Sequence, residues 1–265
     1  TCTSSTSNNL NDITFINSTT GVAVSETGKI FRTTTSGTTW TNIGTVATAA
    51  LNAVCIAGAN EIYACGDSSK LVRSTNGGLG WTDITTPLSG VGYRYTDVNF
   101  FGHDTGWVCT DGYEILRTKD GGANWNMSSV LTLSPPATSI SFINGREGWV
   151  ADNGGNILHT VNSGQTWTLQ STVYLSRINK IVFLDALHGW LSGGGKIMRT
   201  IDGGQSWSEE WMPATLEVED LTFLTGTKAV AVGDGLAGIM AREGDLSVAY
   251  GSSVICTDNA LTVDV

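Results

Sequence analysis

Histidine and cysteine are the residue types best suited to metal binding or nucleophilic catalysis, and both are sparse in this chain. The three histidines, His103, His159 and His188, come from different predicted strand ends and form neither a catalytic triad nor a metal-ligand motif. The Gly-rich stretch at residues 193–195 precedes no predicted helix, so it does not read as a phosphate-binding loop. We therefore expect no catalytic residue, no metal and no cofactor.

The overall charge excludes further classes of partner. A net charge of -10 and a pI near 4.6 argue against nucleic acids and anionic membranes, which require clustered Lys and Arg. No apolar run reaches the length of a membrane-spanning helix, and no signal peptide opens the chain. Because the chain is rich in Ser, Thr and Asn and poor in Lys, we expect an exported protein, in the periplasm, at the cell surface or outside the cell.

A short phrase recurs along the sequence and predicts the turns that hold its Asp, Asn and Trp side chains. Five tryptophans follow one another at intervals of 41, 44, 42 and 40 residues, and each ends a copy of a phrase with the consensus Ser/Thr-x-Asp/Asn-x-Gly-x-Ser/Thr-Trp, an Asp box. The Asp or Asn side chain is expected to accept backbone hydrogen bonds within a hairpin turn, while Gly supplies a positive φ. Thr35 replaces the acid in the first copy, which should have the weakest turn. The box residues of the other copies are Asn76, Trp81, Asp120, Trp125, Asn162, Trp167, Asp202 and Trp207.

Each repeat holds four apolar segments with strand character, and alternation of period two marks half-buried strands. This pattern predicts an all-β fold, a six-bladed β-propeller of four-stranded antiparallel blades with Asp-box turns. We predict one domain over residues 1–265, in which the sixth copy lacks the box. The tail, residues 251–265, either completes the last blade or leads into a further domain. The predicted repeats are 10–50, 51–94, 95–136, 137–177, 178–217 and 218–250.

The phrase Arg-Thr-x-Asp-Gly-Gly-x-x-Trp, with a preceding Gly-Trp strand, resembles the bacterial neuraminidase repeat propellers. The short repeats, such as Gly106 to Trp125 and Gly148 to Trp167, are similar to the photosystem II stability/assembly factor family. The resemblance implies the fold rather than one activity, because the same box occurs in sialidases, xyloglucan hydrolases, sorting receptors and assembly factors. A sialidase would need an arginine triad, yet four of the arginines share one structural repeat position: Arg32, Arg73, Arg117 and Arg199.

Cysteine pairing has two interpretations. Five cysteines leave one unpaired in any disulfide scheme. Cys2 and Cys256 lie near the termini, and a closed propeller would bring its first and last blades together, so a disulfide between them is one interpretation. Two unrelated buried thiols are the other. Cys55 and Cys65 flank a predicted hairpin turn and could face each other.

The predicted binding surface lies on the linker face, opposite the box turns, where inter-blade linkers carry aromatic and Arg side chains. Such side chains on loops held by a rigid scaffold suit a protein or glycan contact. We predict a non-catalytic scaffold that docks a partner protein there. The alternatives are an extracellular glycan-binding or adhesive module of a larger secreted protein and, thirdly, a glycoside hydrolase. The candidate binding residues are Tyr93, Arg94, Tyr95, Tyr174, Arg177, Trp211, Asp67, Asp111 and Asp152.

Overall fold

The computed structural model describes residues 3–4, 8–130, 136–175, 177–210, 218–225, 228–233, 236–243 and 245–249. The predicted Cys2–Cys256 disulfide, Trp211 and the tail lie outside these residues. Within them there is no helix, and hence no helix long and apolar enough to cross a membrane. The strands group into two compact units, one within residues 1–131 and one within residues 132–257.

The first unit contains three antiparallel sheets, each lying within one repeat. Its first sheet carries a fifth strand, because β1 pairs in parallel with β5. The strands of the first sheet are β1 (Thr3–Ser4), β2 (Leu10–Phe15), β3 (Gly21–Ser25), β4 (Lys29–Thr33) and β5 (Thr39–Thr45). The second sheet comprises β6 (Leu51–Gly58), β7 (Glu61–Gly66), β8 (Lys70–Ser74) and β9 (Thr82–Asp83). The third comprises β10 (Tyr95–Phe101), β11 (Thr105–Thr110), β12 (Glu114–Thr118) and β13 (Asn126–Ser129).

The second unit contains three more sheets, each with four antiparallel strands in sequence order. The fourth sheet comprises β14 (Ala137–Phe142), β15 (Gly148–Asp152), β16 (Asn156–Thr160) and β17 (Thr168–Thr172). The fifth comprises β18 (Lys180–Phe183), β19 (Gly189–Gly193), β20 (Lys196–Thr200) and β21 (Ser208–Glu210). The sixth comprises β22 (Val218–Thr225), β23 (Lys228–Gly233), β24 (Leu236–Glu243) and β25 (Asp245–Ala249). Six such meanders in succession confirm the predicted all-β propeller architecture, and each sheet is one blade.

Strand order defines two edges in every blade. The turns between first and second strands and between third and fourth strands lie at one edge, here the box side. The turns between second and third strands and the linkers between blades lie at the opposite edge, here the linker side. In the sixth blade the sequence lacks the box, and β24 pairs with β25 in antiparallel register as far as Glu243 and Asp245.

Within each unit, stacked aromatic rings pack one blade onto the next. Trp149 of the fourth blade stacks on Phe183 of the fifth with ring centroids 3.6 Å apart, and its indole Nε1 donates to Gly203 O at 3.1 Å. In the first unit Tyr63 stacks in the same way on Phe100 at 3.9 Å. Both pairs are nearly face to face, so their main contribution to stability is the large apolar ring area that they bury between blades.

The glycine of each Gly-Trp pair makes room for the same ring. A Cβ atom on Gly106 would lie 2.4 Å from the side chain of Phe100, and one on Gly189 would lie 2.6 Å from Phe183. The ring therefore lies flat on the backbone of the second strand. Its edge meets the box tryptophan of its own blade, as Phe100 meets Trp125 with centroids 6.1 Å apart.

The Asp-box turn is closed by its own side chains. Asp202 accepts from the Ser206 backbone N at 2.9 Å and from the Ser206 hydroxyl at 2.5 Å, while Gly204 N donates to Thr200 Oγ1 at 2.8 Å. Gly204 has a φ of 90°, in the left-handed region that favours glycine. In the first copy the Thr35 hydroxyl takes the place of the carboxylate and accepts from Thr39 N at 2.9 Å.

Cys55 and Cys65 of the second blade do not lie opposite each other in the sheet. Cys65 pairs with Ala53 and Cys55 pairs with Tyr63 in the register of β6 and β7. Cys65 is a free, fully buried thiol, and desolvation by burial raises its pKa. A hairpin disulfide between Cys55 and Cys65 was therefore a wrong expectation.

Replacement of Trp125 by Ala tests the packing of the box tryptophan. The side chain is only 8% exposed, so its removal should cost about 3–5 kcal/mol in the free energy of unfolding. Urea unfolding followed by far-UV circular dichroism measures the loss. Met127→Ala, an exposed position on the following strand, serves as the control and should change stability by less than about 0.5 kcal/mol. A loss below about 1 kcal/mol for Trp125→Ala contradicts this placement.

Asp202 should make the fold sensitive to acid. Hydrogen bonds from the Ser206 side chain and backbone lower the pKa of this carboxyl to about 2. Because the folded pKa is lower than the unfolded one, the ionised group stabilises the fold above about pH 4, and this contribution is lost as the pH falls towards 2. We expect Asp202→Asn to flatten the dependence of Tm on pH in this range.

Asn162 occupies the same box position in the fourth blade and accepts from Thr166 N at 3.0 Å. The matched variant Asn162→Asp should therefore steepen the acid dependence of Tm, as Asp202→Asn weakens it. If Tm depends on pH in the same way in both variants and in the wild type, the box carboxylate has no part in acid unfolding.

Candidate functional site

The linker between the second and third blades is anchored by buried side chains. Leu88 belongs to the core of these blades, and the Tyr95 hydroxyl lies 2.6 Å from Thr86 Oγ1 across the linker. Tyr95 is 0% exposed, and burial raises its pKa. The expectation that Tyr95 contacts a partner was wrong. The residue occupies the first inward-facing position of β10, where it holds the linker in place.

The backbone of Tyr93 and Arg94 is fixed to both neighbouring turns. Ser69 N donates to Tyr93 O at 2.5 Å, Asp111 N donates to Arg94 O at 2.9 Å, and Arg94 N donates to Asp111 Oδ1 at 3.0 Å. The Arg94 side chain is 59% exposed, with Nε 3.4 Å from Asp67 Oδ1. A contact this exposed is weak, so the guanidinium is available to a partner.

A second tyrosine, Tyr113, lies beside this linker and was not among the predicted binding residues. Tyr113 is exposed and follows Gly112, on which the Tyr93 ring packs so closely that a Cβ would lie 2.5 Å from it. Val91 is also exposed. The signal for Tyr113 was its place beside Asp111 in a linker-side turn. We call this surface the linker patch, formed by Asp67, Val91, Tyr93, Arg94, Asp111 and Tyr113.

The candidates of the second unit have different surroundings. Tyr174 is fully exposed, and Arg177 is half exposed with Nη2 3.6 Å from Glu219 Oε2. Asp152 is 0% exposed and accepts from Gly154 N at 2.8 Å and Asn156 N at 2.9 Å. Its predicted role in binding was therefore wrong, because the carboxylate caps its own turn.

A groove lies beside Tyr174, between the outer strand of the fourth blade and the fifth blade. Its volume is about 310 Å³, and β17 with its following linker forms one wall. Residues of β20 and of the fifth box turn form the other wall. The groove lies entirely within the second unit.

Charged groups also meet on the box side of the first unit. Glu61 is buried and contacts both Arg73 Nη2 and His103 Nδ1. The Tyr63 hydroxyl donates to Gly121 O at 2.6 Å and lies 3.0 Å from Glu61 Oε1. Burial, followed by the charge of Glu61, raises the Tyr63 pKa, which favours the protonated hydroxyl.

The remaining histidines are held by acids. His159, which takes the repeat Arg position, stacks on Trp149 with centroids 4.8 Å apart and lies 3.2 Å from Glu147. His188 lies 2.9 Å from Asp185. Within the described part of the chain, no group of three His, Cys, Asp or Glu residues could hold a metal ion.

The blades and their box turns define the class of protein as an Asp-box β-propeller. Residues 90–177 match the family model described as photosynthesis system II assembly factor YCF48, and the chain resembles the photosystem II stability/assembly factor-like propellers. Among curated proteins none matches the sequence.

Solved structures share the fold at low sequence identity. YCF48 bound to D1 peptide is 20% identical, covering 87% of this chain and 92% of that chain, with a TM-score of 0.53. The WD40 propeller domain of Doa1 is 13% identical over 94% and 84% of the two chains, with a TM-score of 0.75. A GH74 xyloglucanase from Xanthomonas campestris is 12% identical over 89% and 45%, with a TM-score of 0.68. Likeness at this level shows the fold alone.

Glu61→Gln tests whether the charged cluster is structural. Removing the buried carboxylate charge leaves Arg73 without its counter-ion at the seam between the second and third blades, so stability should fall by about 3 kcal/mol. Asp104→Asn, an exposed acid on the His103 turn, is the control and should be nearly neutral. Urea unfolding measures both variants. Equal stability of Glu61→Gln and wild type would show that the cluster does not hold the seam.

Proposed function

We propose that this protein is a non-catalytic scaffold that binds a segment of a partner protein on the linker patch. The observation that carries the proposal is the combination of a fixed backbone at Tyr93 and Arg94 with an exposed Arg94 side chain and a partly exposed Tyr93 ring. Tyr and Arg are the residue types that contribute most binding energy at protein interfaces. Because three hydrogen bonds already fix the backbone, little conformational entropy is lost when a partner binds.

The comparisons support a peptide as the ligand. One similar structure, YCF48, is bound to a D1 peptide, and the matching family segment begins at residue 90, inside the linker that carries the patch. A partner segment would place an apolar side chain against Tyr93 and Tyr113 and a hydrogen-bonding group on Arg94. The flanking Asp67 and Asp111 favour a segment that also carries a basic group.

The described side chains favour binding over catalysis. The Tyr63 and Glu61 pair, which could suggest a nucleophile, is buried, and its hydroxyl is held protonated. The box acids Asp120 and Asp202 are engaged in their own turns. These engagements support the proposal that the protein is not an enzyme, glycoside hydrolases included. An exported location is part of the same proposal and rests on the polar, Lys-poor composition.

Substitutions in the linker patch should weaken partner binding without unfolding the protein. We expect Arg94→Ala and Tyr93→Ala each to lower the affinity for the partner about tenfold or more, the loss typical of a central interface residue. The intact wild type and both variants would serve as baits for affinity purification from the native source. The partner so identified would then be titrated by calorimetry.

The matched control is Lys119→Ala, which removes an exposed basic side chain on the box side of the third blade. This variant should bind as the wild type does, because the box side is turned away from the linker patch. Unchanged affinity for Arg94→Ala and Tyr93→Ala, with circular dichroism spectra like the wild type, would refute binding at this surface.

A further inference from the structure

The groove of the second unit differs from the linker patch in its chemistry. Apolar side chains of Leu175, Met198 and Trp207 line it, and these three also pack against the core of the unit. The ring of Tyr174 at the linker end is fully exposed. The groove therefore offers aromatic and aliphatic surface along the seam between the fourth and fifth blades.

Polar groups of the groove are neutral or neutralised. The Lys196 ammonium lies 2.5 Å from Glu209 Oε2, so its charge is balanced. The hydroxyls of Thr172 and Ser206 already donate, to Asn156 Oδ1 at 3.0 Å and to Asp202 Oδ2 at 2.5 Å. Their oxygens keep the capacity to accept hydrogen bonds from a ligand. The exposed Gln205 amide can both donate and accept.

Comparison between repeats shows which groove residues the box turn itself requires. The residue two before the box tryptophan is Leu79 in the second repeat, Ala123 in the third, Gln165 in the fourth and Gln205 in the fifth. The turn therefore accepts apolar and polar side chains at this position. Because the box does not require an amide here, Gln205 is available for contact with a ligand.

From these groups we propose that the groove binds a neutral saccharide. The C–H face of a sugar ring packs on an aromatic ring, and its hydroxyls both donate and accept, which matches Tyr174 with Gln205, Thr172 and Ser206. A phosphate or carboxylate ligand at Lys196 would be repelled by the Glu209 carboxylate, which lies 2.5 Å from the ammonium, so the groove does not favour an anion. The volume lies at the lower end of small-molecule sites, which fits one or a few sugar rings. This site is separate from the linker patch and does not depend on it.

Saturation-transfer NMR with the intact chain tests the proposal. The probes are neutral oligosaccharides of glucose, xylose, mannose and galactose, with a uronic acid oligomer as the charged comparison. We expect saturable binding of at least one neutral probe. Tyr174→Ala and Gln205→Leu should each weaken that binding about tenfold, the effect of losing one aromatic or hydrogen-bonding contact.

Both variants should fold, because the Tyr174 ring is fully exposed and leucine already occupies the equivalent box position at Leu79. Tyr113→Ala removes an exposed tyrosine of the first unit and should leave saccharide binding unchanged. The proposal is wrong if no neutral probe binds, if the uronic acid oligomer binds best, or if the Tyr174 and Gln205 variants bind like the wild type. None of these outcomes bears on partner binding at the linker patch.

Discussion

Ring stacking between adjacent blades is the interaction on which the other features depend. Trp149 on Phe183 and Tyr63 on Phe100 fill the space between neighbouring sheets with stacked rings. A glycine of the second strand must leave its Cβ position empty for that ring, as Gly189 does beneath Phe183. These rings lie towards the box side, where Trp149 and Tyr63 also donate to Gly203 O and Gly121 O of the next box turn, so the stacking and the box turns support each other.

The box turns connect this packing to the polar side chains of the repeats. The second to fifth boxes are closed by an Asp or Asn side chain. In three of them a glycine carbonyl accepts from the preceding blade: Gly77 O from Arg32, Gly121 O from Tyr63 and Gly203 O from Trp149. The polar groups in these turns are thus largely used within the fold. The linker side is less constrained, because its turns and linkers differ from blade to blade and leave side chains such as Arg94 and Tyr174 exposed.

The features that recur in every repeat could be predicted from the sequence, whereas the side chains particular to one turn or linker could not. Periodic tryptophans and alternating strands defined six blades, because each repeat must bury the same faces. Tyr95 was misassigned because a residue that begins a strand can point inward, and only the Thr86 contact reveals which way it points. Asp152 was misassigned because its backbone partners, Gly154 and Asn156, come from a turn whose geometry the pattern does not encode. Tyr113 was missed because its exposure depends on the packing of Tyr93 against Gly112.

A change of residue at a repeat position does not by itself signal function. His159 takes the place of the repeat arginine, yet it stacks on Trp149 and contacts Glu147, much as Arg73 lies over Tyr63 and contacts Glu61. Thr35 likewise replaces a box acid and keeps its hydrogen bond. Such substitutions preserve a structural contact by other means. Arg94 and Tyr174 differ in this respect, because their exposed side chains serve no contact that recurs from blade to blade, and the proposed binding surfaces rest on that difference.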